Sequence, residues 1–169
     1  TVPHDDQLML DRGTVCFWMR ANDTNRTGGL VSKDSLGFDD GGHMHIYTQN
    51  DRVHARMQEL WGDHTVRSGR LDDDAWYHVA LSFGPGGMKL YIDGQLVDSD
   101  DHAGGLGTSA GGSGNTEPLV IGANSWLTLD GSDWPLTDHF EGAIDDVRVY
   151  NRSLSEGQLT DIATGQPMR

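Results

Sequence analysis

The chain has 169 residues, of which 36% are hydrophobic and 23 are glycine, and its 26 acidic against 12 basic residues give a formal net charge of −14. That length suits one domain around a single core, and the acidic excess argues against nucleic acid or an anionic membrane as a partner, since both need a basic face. No run approaches the roughly 20 apolar residues of a membrane-spanning helix, and the lone Cys16 excludes an internal disulfide and a thiolate zinc site.

Taken in order, residues 2–10 read as a first edge strand, because Pro3 lacks a donor and fits only a strand start or an edge. Residues 14–20 place Val15, Phe17 and Met19 on one face and Cys16 and Trp18 on the other, so this strand is expected at the centre of a sheet with Cys16 a buried, inert thiol. Residues 22–29 form a polar loop holding two glycosylation sequons at Asn22 and Asn25, with a third at Asn151. A short strand at 30–33 precedes a loop in which Asp39 and Asp40 stand together beside glycines. Residues 43–49 and 52–60 then read as a strand pair. Met44, Ile46, Val53, Ala55 and Met57 supply its apolar face, and His43, His45, Tyr47, His54, Arg56 and Gln58 the opposite one. Folding does not require that second face to be so rich in planar hydrogen-bonding groups.

Residues 61–64 read as a turn, 65–69 as a weak strand and Asp72-Asp73-Asp74 as a solvated acidic turn. From Trp76 to Val97 three strands follow, joined by Gly84-Pro85-Gly86-Gly87 and by Asp93-Gly94, the strongest two-residue hairpin signal. A long glycine-rich stretch, 98–115, is expected to be functional or mobile. A strand at 118–122 is followed by a second long loop, 123–138, which carries Trp126 and Trp134. The last strand, 140–150, changes phase at Asp145-Asp146, which suggests a β-bulge. A tail helix follows, with Ser155 and Gln158 as a capping box and Leu159 and Ile162 on its buried side.

Trp-Tyr-His-Val-Ala at 76–80 followed by Leu-Tyr-Ile-Asp-Gly at 90–94 resembles the central meander of laminin-G-like domains of the concanavalin A-like jelly-roll superfamily. Residues 14–20, Pro118-Leu119-Val120-Ile121-Gly122 and residues 140–155 are similar to that family's early core strand, its "PLxIG" strand and its closing strand with helix. The resemblance spans residues 2–163 and implies an all-β, two-sheet antiparallel β-sandwich with a short C-terminal helix, residues 1–169 forming a single module. It further implies a module cut from a larger secreted or cell-surface protein, in keeping with a chain that starts at Thr1.

The superfamily's glucan-cleaving members carry a strand motif Glu-x-Asp-x-x-Glu, which sets a nucleophile and an acid on one face. The glutamates here, at 59, 117, 141 and 156, do not begin that pattern, so catalysis is not expected. A structural Ca2+ is the expected cofactor. By resemblance its ligands are Asp5 and Asp145, with Asp6 and Asp146 as alternates and Asp39 with Asp40 as a rival cluster. The alternative for Asp145 is a bond to backbone amides at the bulge. The expected partner is a polysaccharide or glycan. A sugar ring lays its C–H face on an aromatic ring while its hydroxyls need convergent polar groups. Trp61, Trp126 and Trp134, in turns or loops, are the stacking candidates, and Asp39, Asp40, His43, His45 and Arg56 are the polar ones. Trp76 falls in the core meander and is read as structural, and Trp18 is open to either role. A protein- or peptide-binding module and a ligand-free spacer remain the other readings.

Overall fold

Alternation leaves every strand one apolar face to bury, and this chain buries those faces by stacking two sheets. The computed structural model describes residues 1–34, 41–125 and 136–166. In chain order the strands are β1 (Gly13–Ala21), β2 (Gly28–Lys33), β3 (Met44–Gln49), β4 (Arg52–Glu59), β5 (Gly62–Arg67), β6 (Trp76–Phe83), β7 (Met88–Ile92), β8 (Gln95–Asp100), β9 (Val120–Ile121) and β10 (Gly142–Tyr150), followed by helix α1 (Glu156–Ala163). They form two five-stranded antiparallel sheets, ordered β10-β1-β6-β7-β8 and β5-β4-β3-β2-β9. Val15, Phe17, Met19, Val79, Leu81 and Leu90 of the first sheet meet Met44, Ile46, Val53, Ala55 and Met57 of the second in one core. The expected two-sheet sandwich with its tail helix is therefore the fold, and no helix among the described residues is long and apolar enough to cross a membrane.

Local chemistry accounts for the register. Asp93 and Gly94 both adopt positive φ, 51° and 79°, as the tight hairpin between β7 and β8 requires. The Asp93 carboxylate accepts the His78 amide at 2.8 Å, tying that turn back to β6. Between β1 and β10 the register slips where Cys16 faces Arg148 and Trp18 faces Asp145, with Asp146 at a φ of 52°. That is the bulge the phase change suggested.

The outward face of the first sheet is not left to water. Cys16, Ala80 and Tyr91 lie under α1, whose Leu159 and Ile162 complete a second apolar cluster. Ser155 accepts from the Gln158 amide and Gln158 accepts from the Ser155 amide, so the capping box fixes where the helix starts.

Several expectations need correction. Residues 2–10 do not make a strand: Val2 forms an isolated bridge with Leu119, and Asp6–Leu8 is a single 3-10 turn. The Asp5 carboxylate accepts the Gln7 amide at 2.9 Å, and this local bond competes with strand pairing. Residues 62–64 belong to β5 and not to a turn, and the strand expected at 118–122 narrows to two residues. Trp76 is 45% exposed and lies outside the core. Its ring is covered on one side by the Arg20 guanidinium, 5.7 Å from the centroid. The stretch after β8 is packed, with Leu106, Ala110 and Asn115 buried. A side chain at Gly105 would bring its Cβ to 2.3 Å from the Leu10 carbonyl, so the glycine permits that close approach. Asn115 donates to the carbonyls of Lys33 and Gly42 (2.6 and 2.8 Å), while Lys33 Nζ donates to the carbonyls of Asn115 and Glu117 (2.5 and 2.8 Å).

Replacing Leu159 by alanine should lower stability by about 2–5 kcal/mol, read as the urea midpoint, because it empties the cluster under α1. Burial pushes the Cys16 thiol up to about 11, so native protein should react slowly with Ellman's reagent and the Leu159→Ala variant measurably faster.

Candidate functional site

Among the described residues no helix lies over the outward face of the second sheet, and its polar side chains are brought together by register. His45 stands opposite Arg56 and Tyr47 opposite His54 across β3 and β4, while Ser32 of β2 stands opposite His45. The period of two then puts Asp34 and His43 on the same face. The rings form a stacked row: His45 and Tyr47 have centroids 4.5 Å apart at 22°, Tyr47 and His54 5.1 Å apart at 14°. Arg56 Nη2 donates to both oxygens of the Asp34 carboxylate, at 3.1 and 3.3 Å. His43 Nδ1 lies 3.8 Å from the same carboxylate, whose side chain is buried.

Asp34, His45, Tyr47 and Arg56 floor a pocket of about 320 Å³, completed on its rim by Thr27, Gln49, Asp63, Asn124 and Asp138. One wall comes from the segment after β9. A Cβ on Gly29 would meet the Ala123 carbonyl carbon at 2.5 Å, so only glycine lets that segment lie on β2. Gly29 also donates its amide to the Asp138 carbonyl at 2.7 Å, and Asn124 and Thr137 exchange two backbone bonds of 2.8 and 2.9 Å. Asn124 is thereby buried, 0% exposed, yet among the described residues neither its side-chain Nδ2 nor its Oδ1 has a hydrogen-bond partner, and neither does His45 Nε2. A buried polar group left without a partner costs about 1–3 kcal/mol. Two such groups lining one pocket make it a place where a polar ligand regains what folding gives up.

The expected site residues fare unequally. His45 and Arg56 line the pocket, and His43 sits behind it against Asp34. Trp61 is 87% exposed at the tip of the β4–β5 hairpin, two residues from Asp63 of the rim. Asp39, Asp40, Trp126 and Trp134 lie outside the described residues. Asp34, Tyr47, Asp63, Asn124 and Asp138 were not among the candidates. Tyr47 shares the parity of His45 and was within reach of that argument, whereas Asn124 belongs to no periodic segment.

Each calcium ligand expected from the resemblance has a local partner. Asp5 is the cap described above, and Asp145 accepts the neighbouring Asp146 amide at 2.8 Å, the alternative raised for it. Asp146 forms a two-pronged pair with Arg148, whose guanidinium already supplies a cation there. The segment after Asp5 shares a groove with Val149 and Tyr150, whereas Asp145 stands four residues, roughly 13 Å of strand, further along β10. Among the described residues, neither Asp5 nor Asp145 belongs to a group of three acidic or histidine side chains close enough to share an ion.

A family model described as the concanavalin A-like lectin/glucanases superfamily matches residues 1–160. Among solved structures, the CBM40 of the Ruminococcus gnavus IT-sialidase is similar, with a TM-score of 0.72 and 19% identity, over 94% of this chain and 85% of that one. The same module bound to α2,3 sialyllactose gives 0.69 and 21%, over 91% and 83%. The native heptameric SAP-like pentraxin from Limulus polyphemus gives 0.65 and 18%, over 91% and 70%. At these identities the likeness is one of fold.

Burial first, and then the positive charge of Arg56, holds His45 down at about 3, against an ordinary value of 6.5. Below pH 6.5 the unfolded chain therefore takes up a proton that the folded chain refuses. The stability carried by neutral His45 is complete above pH 6.5 and declines as the pH drops toward 3. His54, His78 and His102, also lowered by burial, add to the same slope. Across that window Tm should decline less steeply in His45→Gln than in the wild type.

Proposed function

The chain belongs to the concanavalin A-like lectin/glucanases superfamily, and from that premise we propose that it binds a neutral carbohydrate without cleaving it, on the outward face of its second sheet. The observation that carries the reading is the pairing of buried Asn124 and His45, polar atoms unsatisfied, in one pocket beside the Tyr47 ring. Sugar hydroxyls donate and accept at once, and so suit an amide and a neutral imidazole.

Charge selects the kind of sugar. The pocket sets Asp34, Asp63 and Asp138 against Arg56 alone, whose guanidinium is already bound to Asp34. On a chain of net charge −14 this disfavours anionic glycans. The CBM40 module bound to sialyllactose supports carbohydrate as the ligand class, while the local charge supports a neutral member of it. Tyr47 is stacked on two neighbours, so an open ring face for the sugar must come from elsewhere. Exposed Trp61 is the described residue suited to that role. A place outside the cell, as part of a larger secreted or surface protein, is consistent with this reading.

Affinity gel electrophoresis in neutral polysaccharides, with sialyllactose as competitor in solution, tests it. Retardation by a neutral polymer, not reversed by sialyllactose, is expected. Asn124→Ala should lose about 1–1.5 kcal/mol of binding, roughly tenfold, and Trp61→Ala should weaken binding with Tm unchanged. A chain that no neutral polymer retards, or retention identical in both variants, would return the protein-partner reading to first place.

A further inference from the structure

A second cluster lies at the other edge of β4, where the two sheets meet. Glu59 ends β4, His64 sits on β5 and His102 follows β8 by two residues. β5 and β8 are edge strands of different sheets. One ring nitrogen of each histidine and one carboxylate oxygen of Glu59 all lie within 4.8 Å of one another, the only such group of three among the described residues. We propose that Glu59, His64 and His102 bind a zinc ion that clips the edge of one sheet to the edge of the other.

The surrounding bonds prepare the donors for a metal. His64 Nδ1 lies 2.9 Å from the Asp100 carboxylate. A proton held there leaves His64 Nε2 with its lone pair, and that atom is 3.8 Å from Glu59 Oε1. A carboxylate behind a histidine is the usual outer support of a zinc ligand. The same Asp100 oxygen accepts the His102 amide at 2.8 Å, so one side chain orients both histidines. The two rings are stacked, with centroids 4.3 Å apart at 18°, an arrangement that two protonated imidazoles would oppose. His102 is 6% exposed and its Nε2 has no hydrogen-bond partner.

Two imidazoles and one carboxylate suit zinc, which binds nitrogen at about 2.0–2.1 Å and is commonly held by three protein ligands with a fourth position open. Calcium prefers six to eight oxygens and is poorly matched. The three side chains would close by about an ångström each to meet those bond lengths. Across the same seam the Asp98 carboxylate accepts the Arg67 amide of β5 at 2.9 Å, so the edges are already in contact where the ion would join them.

Isothermal titration of ZnCl2 into chelator-treated protein, in a non-chelating buffer at neutral pH, should give one zinc per chain and a Tm that rises with zinc. Calcium chloride should do neither. Glu59→Gln and His64→Ala should each weaken zinc at least about tenfold, and Asp100→Asn by about 10–100-fold, while His54→Ala leaves it unchanged. Glu59 and His64 are partly exposed, so these variants keep the fold, and their zinc-free Tm checks that they do. Absence of binding to the wild type, or equal affinity in His64→Ala and the wild type, would overturn the proposal. Glycan retention in the presence and absence of zinc separates this site from the sugar pocket, whose failure or success leaves the zinc result standing.

Discussion

The contact between the two sheets is what every other feature depends on. Once Val15, Phe17 and Leu81 face Met44, Ile46 and Met57, each sheet has one face left, and the two leftover faces are treated differently. On the first sheet, small or apolar residues, Cys16 and Ala80 with Tyr91, receive α1. On the second, histidines, tyrosine and arginine occupy the matching row, and a helix laid across them would bury charge and ring nitrogens without partners. One face is closed by apolar packing; on the other, polar groups are covered by backbone segments and Tyr47, His54 and Arg56 stay only partly buried. The candidate sugar site is thus a by-product of the same two-residue period that builds the core.

Much of this was legible before any coordinates. The period of two placed Met44, Ile46, Val53, Ala55 and Met57 inward and His45, Tyr47 and Arg56 outward, and the described register agrees. Asp93-Gly94 and Ser155 with Gln158 specify their own backbone geometry locally, so a hairpin and a helix start could be read from a few residues. The phase change in β10 announced its bulge. Failures came where geometry is set by distant partners. Nothing near Asn124 says that Gly29, nearly a hundred residues earlier, will admit its backbone onto β2. The 3-10 turn at Asp6–Leu8 arises from a competition between an Asp5 side-chain bond and strand pairing, which alternation alone does not decide. Trp76, read as structural in the core meander, sits at the strand's first position, partly exposed, with the Arg20 guanidinium over one side of its ring.

The stretch after β8 teaches a related point. Its glycines and polar residues read as a loop in search of a function, yet they are the means by which a long connection lies flat against the sandwich. Asn115 and Lys33 form a small hub that satisfies carbonyls on both β2 and the returning chain. Burial lowers Lys33 to about 8 against the opposing pull of the Glu117 charge, while the carbonyls of Asn115 and Glu117 hold the amine in place. Composition alone cannot separate such a packed connection from a free one, because both need small residues; only the partners do.

The borders of the two sheets give the acidic excess another meaning. An open strand edge invites the edge of a second molecule to pair with it. Here β8 carries Asp98 and Asp100, β5 carries Asp63 and Arg67, β10 is kinked at Asp146 beside a charged pair, and β9 is two residues long. Each border is too short, too bent or too charged to serve as a template. These few edge carboxylates therefore guard the strand borders against amyloid-like growth, so that copies can crowd side by side without fusing into fibres.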